Sequence, residues 1–356
     1  MAAPHAIVGL SGGVDSAVAA WRLLEEGYRV SGLFMVNWTE DEQGYCTAAE
    51  DFQSARAVAD ELKIPLHRVD FSAEYRERVF RHFLDDYAAG RTPNPDLLCN
   101  REVKFQPFRE HALRLGADVI ATGHYARVGQ APDGPVLLRS ATEDKDQTYF
   151  LALVARAHLD RVRFPIGDLD KPHVRELARR AGLPNHKRRD STGICFIGER
   201  PFRAFLQHYL KPNPGPMVDD AGTTIGTHQG LMYYTLGQRR GLSIGGVRGA
   251  REAPWYVVGK DVATNVLRVS QDAQHPLLLS HTLDTRGFSW IGRPDPLPER
   301  LHARIRHRQA LQACRAEVRD DGGLRVTFER PQRAVTPGQY CVLYDGDRCL
   351  GGGEIA

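Results

Sequence analysis

The first 126 residues alternate short apolar runs with stretches of helical period, and this alternation restricts the fold more tightly than any other feature of the chain. Residues 6–10 (AIVGL) form a candidate buried strand, after which Val14, Ala17, Val18, Trp21 and Leu24 recur with helical spacing. Further strands are read at GYRVSGLFMVNW (27–38), PLHRVDF (65–71) and ADVIATGHYA (117–126). Between them lie a helix over 47–62, one through Phe83 and Tyr87, and one ending near Leu115. Strands separated by helices of this length predict an α/β fold, a doubly wound parallel sheet. Ligands in such sheets lie beyond the carboxyl ends of the strands. The turn after the first strand, Met35, and TGH at 122–124 all fall at such ends, so they are expected to build one site.

That first turn reads GLSGGVDS, from Gly9 and Leu10 through Ser11, Gly12, Gly13, Val14 and Asp15 to Ser16. The glycine pair lets the backbone turn sharply and approach a ligand closely, while the new helix offers unpaired N–H groups and the positive end of its dipole. A phosphate is what such a turn holds. An ordinary strand-to-helix turn is the plain reading of a lone glycine pair; the two serines and the aspartate around it favour the phosphate. A Walker loop would end in G-K-[ST], its lysine reaching the terminal phosphates, and this turn has no lysine.

At 356 residues the chain exceeds one ordinary core. A hairpin-like segment begins at Arg127, short helices are read over 151–190 up to the basic run HKRRD, and a helix runs to about Leu210. Beyond KPNPGPMVDDAG (211–222) the character changes: a small β-rich region extends to about 278, and alternating strands with tight turns fill 282–356, as in a small β-barrel. The expected domains are 1–210, 211–280 and 281–356. Apolar residues make up 42% and charged residues 26%, no apolar run reaches the length of a membrane span, and the N-terminus lacks the order of a signal peptide. A cytoplasmic protein with no membrane partner is expected. The net charge of +3 is too small to argue for nucleic acid alone.

Of the six cysteines, Cys314, Cys341 and Cys349 sit in strand-like sequence and read as small buried hydrophobes. No C-x-x-C occurs, so no metal site is expected. Cys99 lies in GRTPNPDLLCNREVKF, where Pro93 and Pro95 predict a rigid loop, and Cys195 in DSTGICFIGER, a turn-to-strand segment. Both have polar and charged neighbours, which suits reactive thiols. In LHARIRHRQ, Arg304, Arg306 and Arg308 would share one face of a strand, and GQRRGLSIGGVRGAR (237–251) carries four arginines and no acid. A solvated surface is the usual reading of such runs; phosphate contact is the functional one.

Taken jointly, SGGVDS, NPD-x-x-C-N, TGHYAR, KDQTYFL, DSTGICFIGER and Y-T-x-G-Q-R resemble the motifs of the tRNA-specific 2-thiouridylase family, in the ATP-pyrophosphatase superfamily. They stand in the family's order from residue 9 to about 240. The resemblance implies an adenine nucleotide alpha-hydrolase-like first domain. It also implies replacement of O2 of the wobble uridine (U34) by sulfur in tRNAs for Lys, Glu and Gln, at the expense of ATP. ATP, with Mg2+, would meet residues 9–16, Met35 and Gly123, and no tightly bound prosthetic group is expected. Cys195 would carry a persulfide supplied by a cysteine desulfurase or relay protein. Cys99 would resolve it, leaving a Cys99–Cys195 disulfide. Asp96 is the candidate acid or base, with a turn or capping role as its alternative. Asn94, Pro95 and Asp96 would touch the target base; His124, Lys145, Asp146, Gln147, Arg306, His307 and Gln339 would meet the tRNA. Three other readings stay open. One is an RNA thiolase with an iron–sulfur cluster on Cys46, Cys99 and Cys195. The second is a small-molecule adenylating synthetase, and the third an RNA-binding protein without catalysis.

Overall fold

The computed structural model describes residues 2–38, 48–189, 202–245 and 251–356. The first part is a parallel sheet of β1 (His5–Gly9), β2 (Arg29–Val36), β3 (Leu66–Asp70), β4 (Val119–Thr122) and β7 (Val162–Arg163), in the order β3-β2-β1-β4-β7. Alternation along β1 sends its side chains to two cores. Ala6 and Val8 pack with α1 (Val14–Glu25) and α2 (Ala48–Leu62), whereas Ile7 packs towards Phe83, Phe105 and Phe108. Covering both faces of a parallel sheet in this way is the doubly wound arrangement. On the Ile7 side run α3 (Ser72–Tyr75), α4 (Arg81–Ala88), α5 (Pro95–Cys99) and α6 (Pro107–Arg114), with π-helical turns over Arg76–Phe80 and Asn100–Lys104. The two-residue strand β7 had no readable signal, being too short for any period.

The segment ADVIATGHYA is not one strand: β4 stops at Thr122, and β5 (Ala126–Ala131) begins a hairpin with β6 (Gly134–Arg139). After α7 (Thr148–Leu151), α8 (Lys171–Arg180) and α9 (Phe202–Gln207), a four-stranded sheet holds β8 (Gly215–Val218), β9 (Thr224–His228), β10 (Tyr256–Asp261) and β11 (Val266–Ser270), in the order β10-β11-β8-β9.

The C-terminal strands are β12 (Leu279–Trp290), β13 (Leu301–Arg304), β14 (Gln312–Val318), β15 (Leu324–Arg333), β16 (Tyr340–Asp345) and β17 (Arg348–Ile355). They run in the order β12-β15-β14-β13-β16-β17, and β17 pairs back onto β12, closing a six-stranded barrel. Cys314 and Cys341 lie in its interior, and Cys349 is fully buried against the first part of the chain, as strand cysteines should be. The β5–β6 hairpin joins the same sheet through β6, where Leu138 and Leu137 pair with Arg348 and Cys349. A single apolar core also crosses the parts: Phe105 and Phe83 share it with Tyr234 and Val257 of the middle region and with Tyr340 and Val342 of the barrel.

Candidate active site

The turn after β1 is shaped by its own residues. Gly13 is the extended N-cap of α1, with φ −78° and ψ 158°, and no side chain caps it, so the first N–H groups of α1 are left for a ligand. Gly12 has φ +81°, and a Cβ there would strike the Asp51 carbonyl and come within 2.9 Å of Arg188 Nη1. The buried Ser16 hydroxyl donates to the Gly13 carbonyl at 3.0 Å and accepts from the Ser11 N–H at 3.2 Å, closing the turn on itself. The Gly12 carbonyl accepts from Ser54 Oγ (2.8 Å), Asn185 Nδ2 (2.8 Å) and Arg188 Nη1 (3.2 Å), which pins the Gly12–Gly13 peptide in one orientation. Arg188 also pairs with Asp51.

The lysine that the turn lacks comes from elsewhere. Lys171, first residue of α8, places Nζ 2.8 and 2.9 Å from the two carboxylate oxygens of Asp15, and the Tyr125 hydroxyl donates to the same group at 2.8 Å. Sequence reasoning missed Lys171 and Asn185, because no local pattern marks a partner more than 150 residues away. Arg188 left one trace, the basic run HKRRD.

Because β1 lies between β2 and β4, the strand order reverses beside β1, and the turns after β1 and β4 face each other there. They touch: a Cβ on Gly123 would lie 2.6 Å from Ser16 N and 2.7 Å from the Asp15 carbonyl carbon, so only glycine permits this approach. Next to it, His124 Nδ1 is 2.7 Å from Thr122 Oγ1, and its ring lies against Phe105 and Phe164. Burial, with the charge of Lys104 adding to it, holds His124 well below the usual histidine range, so it is a neutral imidazole at neutral pH. Met35 is half-buried near the carboxyl end of β2, two residues beyond Leu33, whose carbonyl accepts the Leu10 N–H. The turns after β1 and β4 thus touch, and Met35 lies on the neighbouring strand near the same end of the sheet.

Cys99 corrects an expectation. The expected loop is only the approach, residues 91–94 with Pro93: Pro95 already occupies the first position of α5, where its fixed φ suits the helix and its missing N–H is not needed. Asn94, the last residue of that approach, is the extended N-cap and accepts from the Asp96 N–H at 3.3 Å. Cys99 lies where α5 passes into the π-helical turn Asn100–Lys104 and is 3% exposed, inside the core rather than on a polar surface. Asp96 is half-buried in the first turn; desolvation raises its pKa, with Lys104 acting in the opposite sense. Lys104 thus lies within charge range of both Asp96 and His124, linking the cysteine helix to the turn after β4. It was another residue without a sequence signal.

A bonded path connects the two regions. The Tyr125 hydroxyl holds Asp15, and the Tyr125 N–H donates to Gln147 Oε1 at 3.0 Å. The Phe150 N–H donates to the Gln147 carbonyl, and the Phe150 carbonyl accepts from Asn100 Nδ2 at 2.9 Å, next to Cys99.

The residues expected to meet RNA divide. Arg306 is exposed, and His307, partly exposed, sets its ring edge-on to Phe150 at 4.4 Å; burial, with Arg308 and Arg304 nearby, lowers the His307 pKa to about 4. Lys145 is half-buried, and Gln339 is spent on the backbone of Thr92 and Pro93. Asp146 is turned inward: 2% exposed, it accepts from the Ser140 N–H, from the Thr148 hydroxyl and, at 2.6 Å, from Arg304 Nη1. That side chain has no face left for RNA. The expected arginine stripe fails for the same reason. β13 ends at Arg304, which is buried against Asp146, and the chain then turns, with Arg308 at φ +64°. Cys46, Cys195 with its motif, and residues 246–250 of the second basic run lie outside the described residues, so a Cys99–Cys195 pairing and a three-cysteine cluster have no geometry to report.

Sequence comparison agrees with this layout. A family model described as the tRNA methyl transferase HUP domain matches residues 4–199. A PRC-barrel domain of the same series matches 203–271, and an aminomethyltransferase beta-barrel domain matches 280–355. A tRNA-specific 2-thiouridylase MnmA from Alcanivorax borkumensis is 56% identical over 98% of this chain and 96% of its own length. Proteins of the same name from Stenotrophomonas maltophilia (56%) and Xanthomonas oryzae (55%) match across 100% of the chain and 94% of theirs. The chain belongs to the tRNA-specific 2-thiouridylase family. Family membership accounts for the joint presence of the SGGVDS turn, the NPDLLC helix and the terminal barrel, which an isolated SGGVDS would leave unexplained.

Proposed function

We propose that this protein is a tRNA-uridine 2-sulfurtransferase, which uses ATP to exchange O2 of a tRNA uridine for sulfur. The observation that carries the reading is the close approach of Gly123 to the SGGVDS turn at the reversal point of the sheet, joined through Tyr125, Gln147 and Phe150 to the neighbour of Cys99. A uracil oxygen is a very poor leaving group. Transfer of AMP to it corrects that, and the uncapped start of α1 is the place for the departing pyrophosphate. Lys171 balances Asp15, the one carboxylate of the turn, so an incoming polyanion meets no uncompensated negative charge there. ATP is taken up with Mg2+, and no prosthetic group takes part.

The target is the wobble uridine of tRNAs for Lys, Glu and Gln. Its base is flipped out of the anticodon stack to lie against Asn94, Pro95 and Asp96. Cys195 carries the persulfide delivered by a desulfurase or relay protein, and its terminal sulfur attacks C2 as AMP leaves. Cys99 then attacks the Cys195 sulfur, breaking the S–S bond to the transferred atom and forming a Cys99–Cys195 disulfide, which an external dithiol reduces. Asp96, with its raised pKa, holds the proton exchanged at the base. Arg306, His307, Lys145 and Gln147 line the approach of the tRNA. None of the helices in the described residues is long and apolar enough to cross a membrane, in keeping with a cytoplasmic setting.

Two serine variants test the chemistry. Cys195→Ser should accept no labelled sulfur at the site; Cys99→Ser should accept it yet deliver little to tRNA. Both should bind ATP and tRNA normally. Wild-type turnover by Cys99→Ser would sink the two-cysteine mechanism.

A further inference from the structure

The segment that joins α4 to α5 is gripped from outside its own sheet. Lys260 of β10 donates to the Gly90 carbonyl at 2.9 Å, and the Thr92 hydroxyl lies 3.3 Å from that of Thr235. From the barrel, the Pro337 carbonyl accepts the Thr92 N–H at 2.9 Å. The Gln339 side-chain amide donates to the Thr92 carbonyl at 2.8 Å, with a longer contact of 3.4 Å to the Pro93 carbonyl. Gly338, at φ +88°, lets this barrel turn press against the segment, since a Cβ there would sit 3.0 Å from both Arg91 Cβ and Thr92 N. Two residues after Thr92 the cap of α5 begins.

α5 runs directly into the π-helical turn Asn100–Lys104, a helical segment of ten residues that is too short to hold its own place without tertiary anchors. Two such anchors flank Cys99 in sequence. On one side Asn100 is fastened to Phe150; on the other, before the cap of α5, the strap 90–93 is fastened to the barrel. We propose that Gln339 is a positioning residue for Cys99: through Thr92 and Pro93 its amide seats α5 and keeps the thiol inside the core. This rests on the reading of Cys99 as the resolving thiol and goes beyond the tRNA contact assigned to Gln339. A thiol that is 3% exposed must be unseated before it can react with a sulfur from another segment, and the strap controls that step. The barrel turn 337–339 and the seat of the thiol then form one mechanical unit.

Alkylation of the reduced full-length protein with N-ethylmaleimide, without ATP or tRNA and read by peptide mass mapping, tests this. Gln339→Ala and Gln339→Glu both remove the donor, and each should speed Cys99 labelling about five- to tenfold, the effect of losing one hydrogen bond on a local opening. Gln339→Lys keeps N–H donors of similar reach and should label at close to the wild-type rate. Cys314, Cys341 and Cys349, each no more than 1% exposed, serve as internal references and should stay unlabelled in every variant. An unchanged Cys99 rate in Gln339→Ala would overturn the proposal, as would a rise shared by the three reference cysteines. Failure of the catalytic reading would appear elsewhere, as undiminished thiolation by Cys99→Ser, whatever the labelling shows.

Discussion

At the phosphate turn, the groups that would face a pyrophosphate come from six consecutive residues, and distant side chains only brace them. At the cysteine helix the order is reversed: the motif supplies the thiol and its cap, while contacts spanning 143 residues to Thr235 and 247 residues to Gln339 decide where the thiol sits. A site whose geometry is written locally can be recognised from a hexapeptide and damaged by a single hydroxyl. A site whose geometry is assembled from afar can be recognised only through its chemistry, and it can be disturbed without touching any reacting group.

The sharpest test of this contrast is at Ser16. Its hydroxyl closes the turn through Ser11 and Gly13, so Ser16→Ala should cut AMP and pyrophosphate formation by on the order of 100-fold while the tRNA Kd stays unchanged. Asp15→Ala should behave alike. Unchanged ATP cleavage in both variants would show that the turn is not the locally written site described above. Next in size is Arg304→Ala. Both side chains are buried, so the variant removes the nearer of two cations on the Asp146 carboxylate, leaving Arg139 Nε at 3.8 Å, and should destabilise the protein by about 1.5–3 kcal/mol in chemical denaturation. A wild-type midpoint would mean that the barrel and the KDQTYFL segment are less tightly bound than the contrast requires. The smallest effect is expected at Arg306, which is exposed. Arg306→Ala should weaken tRNA binding and lower its logarithmic salt slope by roughly one unit, leaving ATP binding alone. An unaltered slope would make Arg306 a solvated surface residue.

The same contrast explains what could be read in advance. The doubly wound sheet was legible because β1, β2 and β4 are largely apolar runs of four to eight residues separated by stretches of helical period, while the edge strand β3, LHRVD, carries only Leu66 and Val69 as apolar residues. The start of α1 was legible because two glycines precede a helical period. Pro95 misled because a proline is as much at home in the first turn of a helix as in a loop, and nothing within the neighbouring residues separates the two. Arg304 misled because alternation places a residue on a face of a strand without saying whether that face is wet. Its partner, Asp146, is 158 residues away. Lys171 and Asn185 carried no signal at all, since each acts through a contact that exists only in the folded chain, and the charge of Lys104 comes near Asp96 and His124 only there.

Strand β17 gives residues 348 and 349 to β6 and residues 351–355 to β12, so one strand serves two owners. The terminal barrel is therefore no detachable module. A barrel exchanged between relatives would have to be accepted by a resident hairpin that had paired with another sequence. A fragment cut before residue 280 would leave β6 with an open edge, the kind of surface on which chains add to one another.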